Sequence, residues 1–302
     1  MSAVTTLREY WSFDWSKLAR VKPNGDALHD GLAEYYPMFD PFYVPVLAVL
    51  FYWFLSDPVM LFIRSMLNGA DIKDKNGKKI KNGFDQGLSL VTIVHSLALT
   101  IYSGWTFMNA FRITTSVYAE FTASGLGGWA AFIKMSCDAN EHIWTKHDFG
   151  FWVNHFYISK FWEFLDTWII LLKGKKPILL QTYHHAGVVM LMWMFTVTHN
   201  TACGMMITFL NSGIHTIMYA YFTLTALEFK FLYKFKPLIT SMQLIQFLVG
   251  ISFTVPTYFT PGCNNDAQFW GTVGIHVYTV ILIGLFLDFA NKAYVKPKAK
   301  AN

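Results

Sequence analysis

Apolar residues run in seven long blocks along the chain, at 41–62, 88–111, 151–172, 178–198, 202–224, 238–258 and 269–290. Each is near the ~20 residues that a helix needs to cross the hydrocarbon core of a bilayer. The pattern predicts an all-α membrane protein of about seven transmembrane helices in a bundle or barrel. It divides the chain into an N-terminal segment 1–40, a single membrane domain 41–290 and a C-terminal tail 291–302. The longest connection is 116–149, where a cluster from Gly125 to Gly128 marks a loop that leaves room for a short or re-entrant helix. There is no internal repeat, and Met1 to Asp40 lacks the continuous apolar stretch of a secretory signal.

The polar positions inside the blocks carry the functional information, because ionisable side chains in a membrane helix are costly. The third block holds Lys160, Glu163, Asp166 and Thr167, spaced to share one helical face. The fourth opens with Gln181, His184 and His185. The fifth carries Asn211, His215, Met218 and Tyr219, and the sixth opens with Thr240, Gln243 and Gln246. A Lys160–Glu163 ion pair that only joins helices is the bland alternative for those two. Four consecutive helices with one polar stripe each point instead to a shared pocket. At 1.5 Å per residue, His184 lies about 10 Å and His215 roughly 15 Å from one common end of their helices. Such a pocket suits a substrate with a water-soluble head and a greasy tail.

Charge then sets direction. Arg64, Lys73, Lys75, Lys78, Lys79, Lys81, Lys173, Lys175, Lys176, Lys230, Lys234, Lys236, Lys292, Lys296, Lys298 and Lys300 all fall on one side of the predicted bundle. The positive-inside rule makes that side cytosolic and the N-terminus lumenal, although Arg8, Lys17, Arg20 and Lys22 run against it. Charged residues are only 14% of the chain, against roughly 25% in a soluble domain. The net charge of +5 therefore reads as membrane orientation rather than nucleic-acid binding. Lysines three and five residues from the end, Lys298 and Lys300, have the form of a retrieval signal and favour the endoplasmic reticulum; a solvated basic tail is the alternative. Cys137 and Cys263 both fall in predicted lumenal connections, and a disulfide between them is expected in an oxidising compartment. Cys203 is left as a free thiol near a membrane surface.

The four stripes resemble the signature boxes of the fatty-acid elongase family. K-x-x-E-x-x-D-T is matched by Lys160, Glu163, Asp166 and Thr167; N-x-x-x-H-x-x-M-Y by Asn211, His215, Met218 and Tyr219; T-x-x-Q-x-x-Q by Thr240, Gln243 and Gln246. The H-x-x-H-H box is read with Gln181 in place of its first histidine, ahead of His184 and His185. Gln cannot shuttle a proton near neutral pH, and this variant resembles some microbial elongases of polyunsaturated chains. The resemblance implies a very-long-chain 3-oxoacyl-CoA synthase enclosing an acyl tunnel. It would condense a long-chain acyl-CoA with malonyl-CoA among membrane lipids and work with the reductases and dehydratase of an elongation cycle. Neither cofactor nor metal is expected, and a homodimer is left open.

No Cys lies in or beside a box, so the acyl group needs another carrier, and a neutral imidazole can form a reactive acyl-imidazole. The expected assignment is His184 as acyl carrier with His215 beside it. Asn211, Gln181 and His185 would orient the imidazoles and donate to the thioester oxyanion. Tyr219, Gln243 and Gln246 would line the cavity, with Lys160, Glu163 and Asp166 supporting it. Lys175, Lys176, Lys234 and Lys236 are candidates for the CoA phosphates. Two rivals remain. A membrane di-iron desaturase or hydroxylase also uses a Q/H-x-x-H-H box, but it needs more histidines at short spacing. A seven-helix transporter could use Lys160, Glu163 and Asp166 as an ion path.

Overall fold

The structure is a computed structural model that describes residues 35–67 and 82–295. It is helical throughout that part, without strands. The N-terminal basic residues, Lys73 to Lys81 and the Lys298/Lys300 tail lie outside the described residues. Helices α1 (Tyr43–Leu67) and α2 (Gly83–Ala123) are followed by a short α3 (Gly128–Cys137). Next come α4 (Phe149–Trp162), α5 (Phe164–Leu172) and α6 (Leu179–Thr198). The fifth block folds as α7 (Thr201–Met206), a π-helical turn Ile207–Asn211 and α8 (Ser212–Ala226). Helices α9 (Lys236–Thr254) and α10 (Asp266–Ala290) complete the set.

Four of these stretches, Tyr43–Leu67, Gly83–Ala123, Lys230–Tyr258 and Asp266–Val295, are long and apolar enough to cross a membrane. The third, fourth and fifth blocks also form helices at the expected places. The third block falls short of the same measure because it breaks at Glu163 into helices of 14 and 9 residues; the fourth and fifth carry the Gln181–His185 group and Asn211 with His215, which lower their hydropathy. Their polar faces turn inward. α4 is buried around most of its circumference, with Phe149, Phe156, Tyr157 and Lys160 fully enclosed. It packs on α6 through an aromatic and aliphatic core that includes Val189, Met192 and Phe195. The outer helices instead expose apolar side chains such as Phe54, Ile101, Ile245 and Val280, as lipid contact requires.

Local signals explain the boundaries. Asn82 caps α2 by accepting the N–H of Asp85 at 2.8 Å, and Asn265 with Gln268 forms a reciprocal capping box at the start of α10. Gly174, with φ +70°, ends α5 in the left-handed conformation that glycine adopts without strain. α2 differs from expectation: it continues past residue 111 to Ala123. Ile113 and Val117 are buried against the core, and this contact keeps the helix going through part of the predicted loop. The rest of that connection contains α3. α2 packs along α8, where a Cβ on Gly104 would meet the Thr216 side chain at 3.5 Å and one on Gly213 would meet Phe107 at 3.0 Å.

The connections sort into two ends. At one, Arg64 donates to the carbonyl of Leu172, and Thr240 meets the Tyr294 hydroxyl at 3.0 Å. At the other, Cys137 and Cys263 are joined by a disulfide, His199 lies 3.0 Å from Glu141, and Gln268 donates to the carbonyls of Thr198 and His199. Residues of the N-terminal segment close on the bundle as well, since the Tyr36 hydroxyl reaches His155 at 2.8 Å. Cys203 is a free thiol, but it is buried, with Sγ 3.4 Å from the Thr272 hydroxyl. It was expected near a surface. α7, which carries it, packs on α3, α6 and α9, and this encloses the thiol against Thr272 of α10.

Candidate active site

The buried centre is the Glu163 carboxylate, at the break between α4 and α5. Lys160 Nζ donates to Glu163 Oε1 at 2.7 Å and to Asn211 Oδ1 at 3.2 Å, and it sits 3.7 Å from the centre of the Phe156 ring. The ammonium is thus surrounded by a carboxylate, an amide oxygen and an aromatic face, which makes its burial tolerable. His215 Nδ1 lies 3.3 Å from Glu163 Oε1, and His185 Nδ1 lies 3.7 Å from Oε2. One carboxylate therefore faces an ammonium and two imidazoles drawn from α4, α6 and α8. Asn211 reaches Lys160 because it is the last residue of the π turn Ile207–Asn211. The extra residue of a π turn re-aims side chains, which is why such turns recur at functional sites.

Asp166, one turn further along, accepts from Tyr219 at 2.6 Å and meets His95 Nε2 at 3.0 Å. Gln181 donates to the Thr167 hydroxyl at 3.1 Å, and Tyr52 reaches the same oxygen at 2.8 Å. Gln181 is therefore held as a hydrogen-bonding strut. Gln243 lies 3.2 Å from the Met218 sulfur, and Gln246 is buried.

Two cavities meet here. The more polar one, about 330 Å³, is lined by His95, Asp166, Gln181, His184, His185, Asn211, His215, Tyr219, Gln243 and Gln246. The second is almost entirely apolar in its lining, running past Val188, Met206, Leu210, Phe247 and Ile251 toward Thr254 and His276. His184, Asn211, Gln246 and Phe247 belong to both. His184 stands at the junction, its ring 6.4 Å from His215 and 5.4 Å from His185. The Tyr278 hydroxyl lies 3.3 Å from His184 Nδ1 and donates to the His184 carbonyl at 3.0 Å, which turns Nε2 away from Tyr278. Gly187, one turn along α6, leaves room for that tyrosine: a Cβ there would collide with its ring.

All four stripes are thus brought together, with Lys160 and Glu163 behind the imidazoles rather than on the cavity wall. Lys176 and Lys234 are exposed and line neither cavity; the lysine on the wall is Lys173. His95, Tyr52 and Tyr278 were missed. His95 is a lone ionisable residue in the second apolar block, so the criterion that selected the stripes covers it too. The two tyrosines carry no such mark, since Tyr is common in membrane helices. Glu163, His184 and His215 each present a donor atom within 4.8 Å of the others, a set able to hold one metal ion. Two irons would need further ligands.

Comparison with known proteins agrees with this layout. Over residues 37–302 the chain matches the family described as ELO: GNS1/SUR4. It is 28% identical to "Fatty acid elongase 2" of Trypanosoma cruzi over 76% of this chain and 81% of that protein. It is 29% identical to "Very long chain fatty acid elongase 3" of Homo sapiens over 83% of this chain and 86% of that protein. With "Very long chain fatty acid elongase 7" of Drosophila melanogaster it shares 28% identity over 82% of this chain and 73% of that protein. A match covering nearly the whole described bundle, with all four polar stripes inside it, makes this chain a member of the ELO (GNS1/SUR4) family.

Proposed function

We propose that this protein serves fatty-acid elongation as the condensing enzyme, converting acyl-CoA and malonyl-CoA to 3-oxoacyl-CoA, CO2 and CoA. The observation that carries the reading is the junction at His184 of a polar, histidine-lined cavity with an apolar one. A thioester head in the first and its chain in the second would put the acyl carbon beside an imidazole.

His184 Nε2 attacks that carbon, the C–S bond breaks, and CoA leaves as a thiol, taking the proton released by the imidazole. The acyl-imidazole then meets malonyl-CoA, whose C–C bond to the carboxylate breaks to release CO2. The electron pair left on carbon attacks the acyl carbon, the C–N bond to Nε2 breaks, and the imidazolate so released takes a proton from water to return to neutral imidazole. Glu163 would hold His215 through Nδ1 at 3.3 Å and place its charge 3.7 Å from His185, and Asn211 and Gln181 would orient the site. Lys173 is the cation on the wall best placed for CoA phosphates.

The same reading takes the seven helical blocks as spans, with the Arg64 end cytosolic and the disulfide end lumenal in the endoplasmic reticulum. The reductases and dehydratase of the cycle would be its partners. Purified protein in detergent is incubated with radiolabelled malonyl-CoA and a panel of long-chain acyl-CoAs. A labelled 3-oxoacyl product without NADPH or added metal is expected. No product from any acyl-CoA, in protein shown to be folded, overturns the reading.

A further inference from the structure

Far from this cavity, at the C-terminal end of α2, stands a second Glu–His–His group. Glu120 is on the last turn of α2, His142 opens the π turn His142–Lys146, and His147 follows it. His142 Nε2 lies 3.1 Å from Glu120 Oε1, His147 Nε2 lies 3.0 Å from Oε2, and the two Nε2 atoms are 3.3 Å apart. In an α-helix a spacing of five would splay these histidines by about 140°; the wider π turn brings them to one side. The segment is braced. The Asp138 carboxylate accepts the N–H groups of Ile143 and Trp144 at 2.9 and 3.0 Å and the Thr201 hydroxyl at 2.9 Å.

The arrangement suits protein groups alone poorly. If each imidazole donates to its own carboxylate oxygen, both Nε2 atoms carry hydrogen, and two N–H dipoles then face each other across 3.3 Å. If one gives up its hydrogen, its lone pair faces a carboxylate oxygen instead. A cation removes the conflict, because two lone pairs and a carboxylate then converge on one positive centre. Zinc–nitrogen bonds of about 2.0–2.1 Å in a tetrahedral site place two donor atoms roughly 3.3 Å apart. Two imidazoles and a carboxylate are a zinc donor set that leaves one position open, whereas calcium and magnesium prefer oxygen alone.

We propose that Glu120, His142 and His147 bind one zinc ion, which clamps the end of α2 to the segment between α3 and α4. Glu120 and His142 line a cleft shared with Lys134, Lys146 and the Cys137–Cys263 disulfide, from which a fourth ligand would come. This site is independent of the condensation reading, since none of its residues lines either cavity of that site.

The full-length protein in detergent is stripped with chelator, then titrated with zinc chloride by calorimetry and with cobalt chloride by visible absorption. One zinc per chain and a tetrahedral cobalt spectrum are expected. Both should be lost in a His142→Asn/His147→Asn variant that keeps its elution profile and helical content. Should that variant fail to fold, Glu120→Gln serves instead. Its zinc affinity should drop by more than the roughly tenfold to hundredfold that losing an outer-sphere partner costs. No binding by the wild-type protein, or equal binding by the variants, overturns the proposal. Loss of the ion only on substituting His184 or His215 also overturns it, by moving the ion to the buried group.

Discussion

The molecule holds the same three side-chain types twice, and the two groups are built in opposite ways. Glu163 and His215 are buried with His184 half-buried beside them, and Lys160 donates to one oxygen of the carboxylate. Glu120 with His142 and His147 lies at the surface with no lysine at its carboxylate oxygens among the described contacts. The buried group has its cation built in and keeps an imidazole at a cavity junction for covalent work. The exposed group has two imidazoles converging on a bare carboxylate, which is a ligand set. A lysine bonded directly to the carboxylate, present in the buried group and absent from the exposed one among the described contacts, thus separates the two.

The sharpest way to break this contrast is His184→Ala. Product formation should fall by about three orders of magnitude or more, as on losing a nucleophile, with the unfolding midpoint nearly unchanged. Near-normal turnover would end the acyl-imidazole mechanism. Lys160→Met comes next. It strands the Glu163 carboxylate in the interior, and breaking a buried pair in this way costs about 3–5 kcal/mol. Thermal unfolding in detergent measures the loss, and adding Glu163→Gln to the same variant should recover part of it. If the double variant is no better than the single, the pair is not what Lys160 is for.

At the opposite end, Cys263→Ser opens a loop closed across 126 residues and should cost about 2–5 kcal/mol of stability, while leaving condensation per folded molecule intact. A mass shift on reduction, absent in that variant, checks the bond itself. The smallest effect is expected from Tyr278→Phe, which removes one hydroxyl from His184 Nδ1. A net hydrogen bond of about 0.5–1.5 kcal/mol corresponds to a tenfold loss of turnover or less. Gly187→Ala, by displacing the same ring, should lower turnover in the same direction.

Much of the buried site could be read from sequence, because a charged or imidazole side chain in an apolar block is conspicuous and helical spacing says which face it shares. Lys160, Glu163, Asp166, His184, His185 and His215 all met that test, and Asn211 was found by sharing a helical face with His215. What escaped was contributed by contacts between distant helices. Tyr278 reaches His184 across 94 residues, and Tyr52 reaches Thr167 across 115; neither residue is unusual in its own block. Lysines were read by side of the membrane, a rule that cannot separate Lys173 on the wall from Lys176 in solvent. His142 and His147 lay in a stretch read as a loop, and their spacing of five matches no α-helical face.

The π turn at Ile207–Asn211 amounts to one residue more than an α-helical ladder can hold. The wide turn absorbs that residue, so the helices on either side of it keep one register. Deleting Phe209 would let the ladder close with His215 still facing Glu163 and Tyr219 still facing Asp166, and the loss would fall on the turn itself, where Asn211 would no longer be aimed at Lys160. Deleting Gly213, in the regular helix beyond the turn, removes no surplus and would rotate His215 and Tyr219 off their partners by about 100°. The fifth block therefore has slack at one turn and none in the helix that follows.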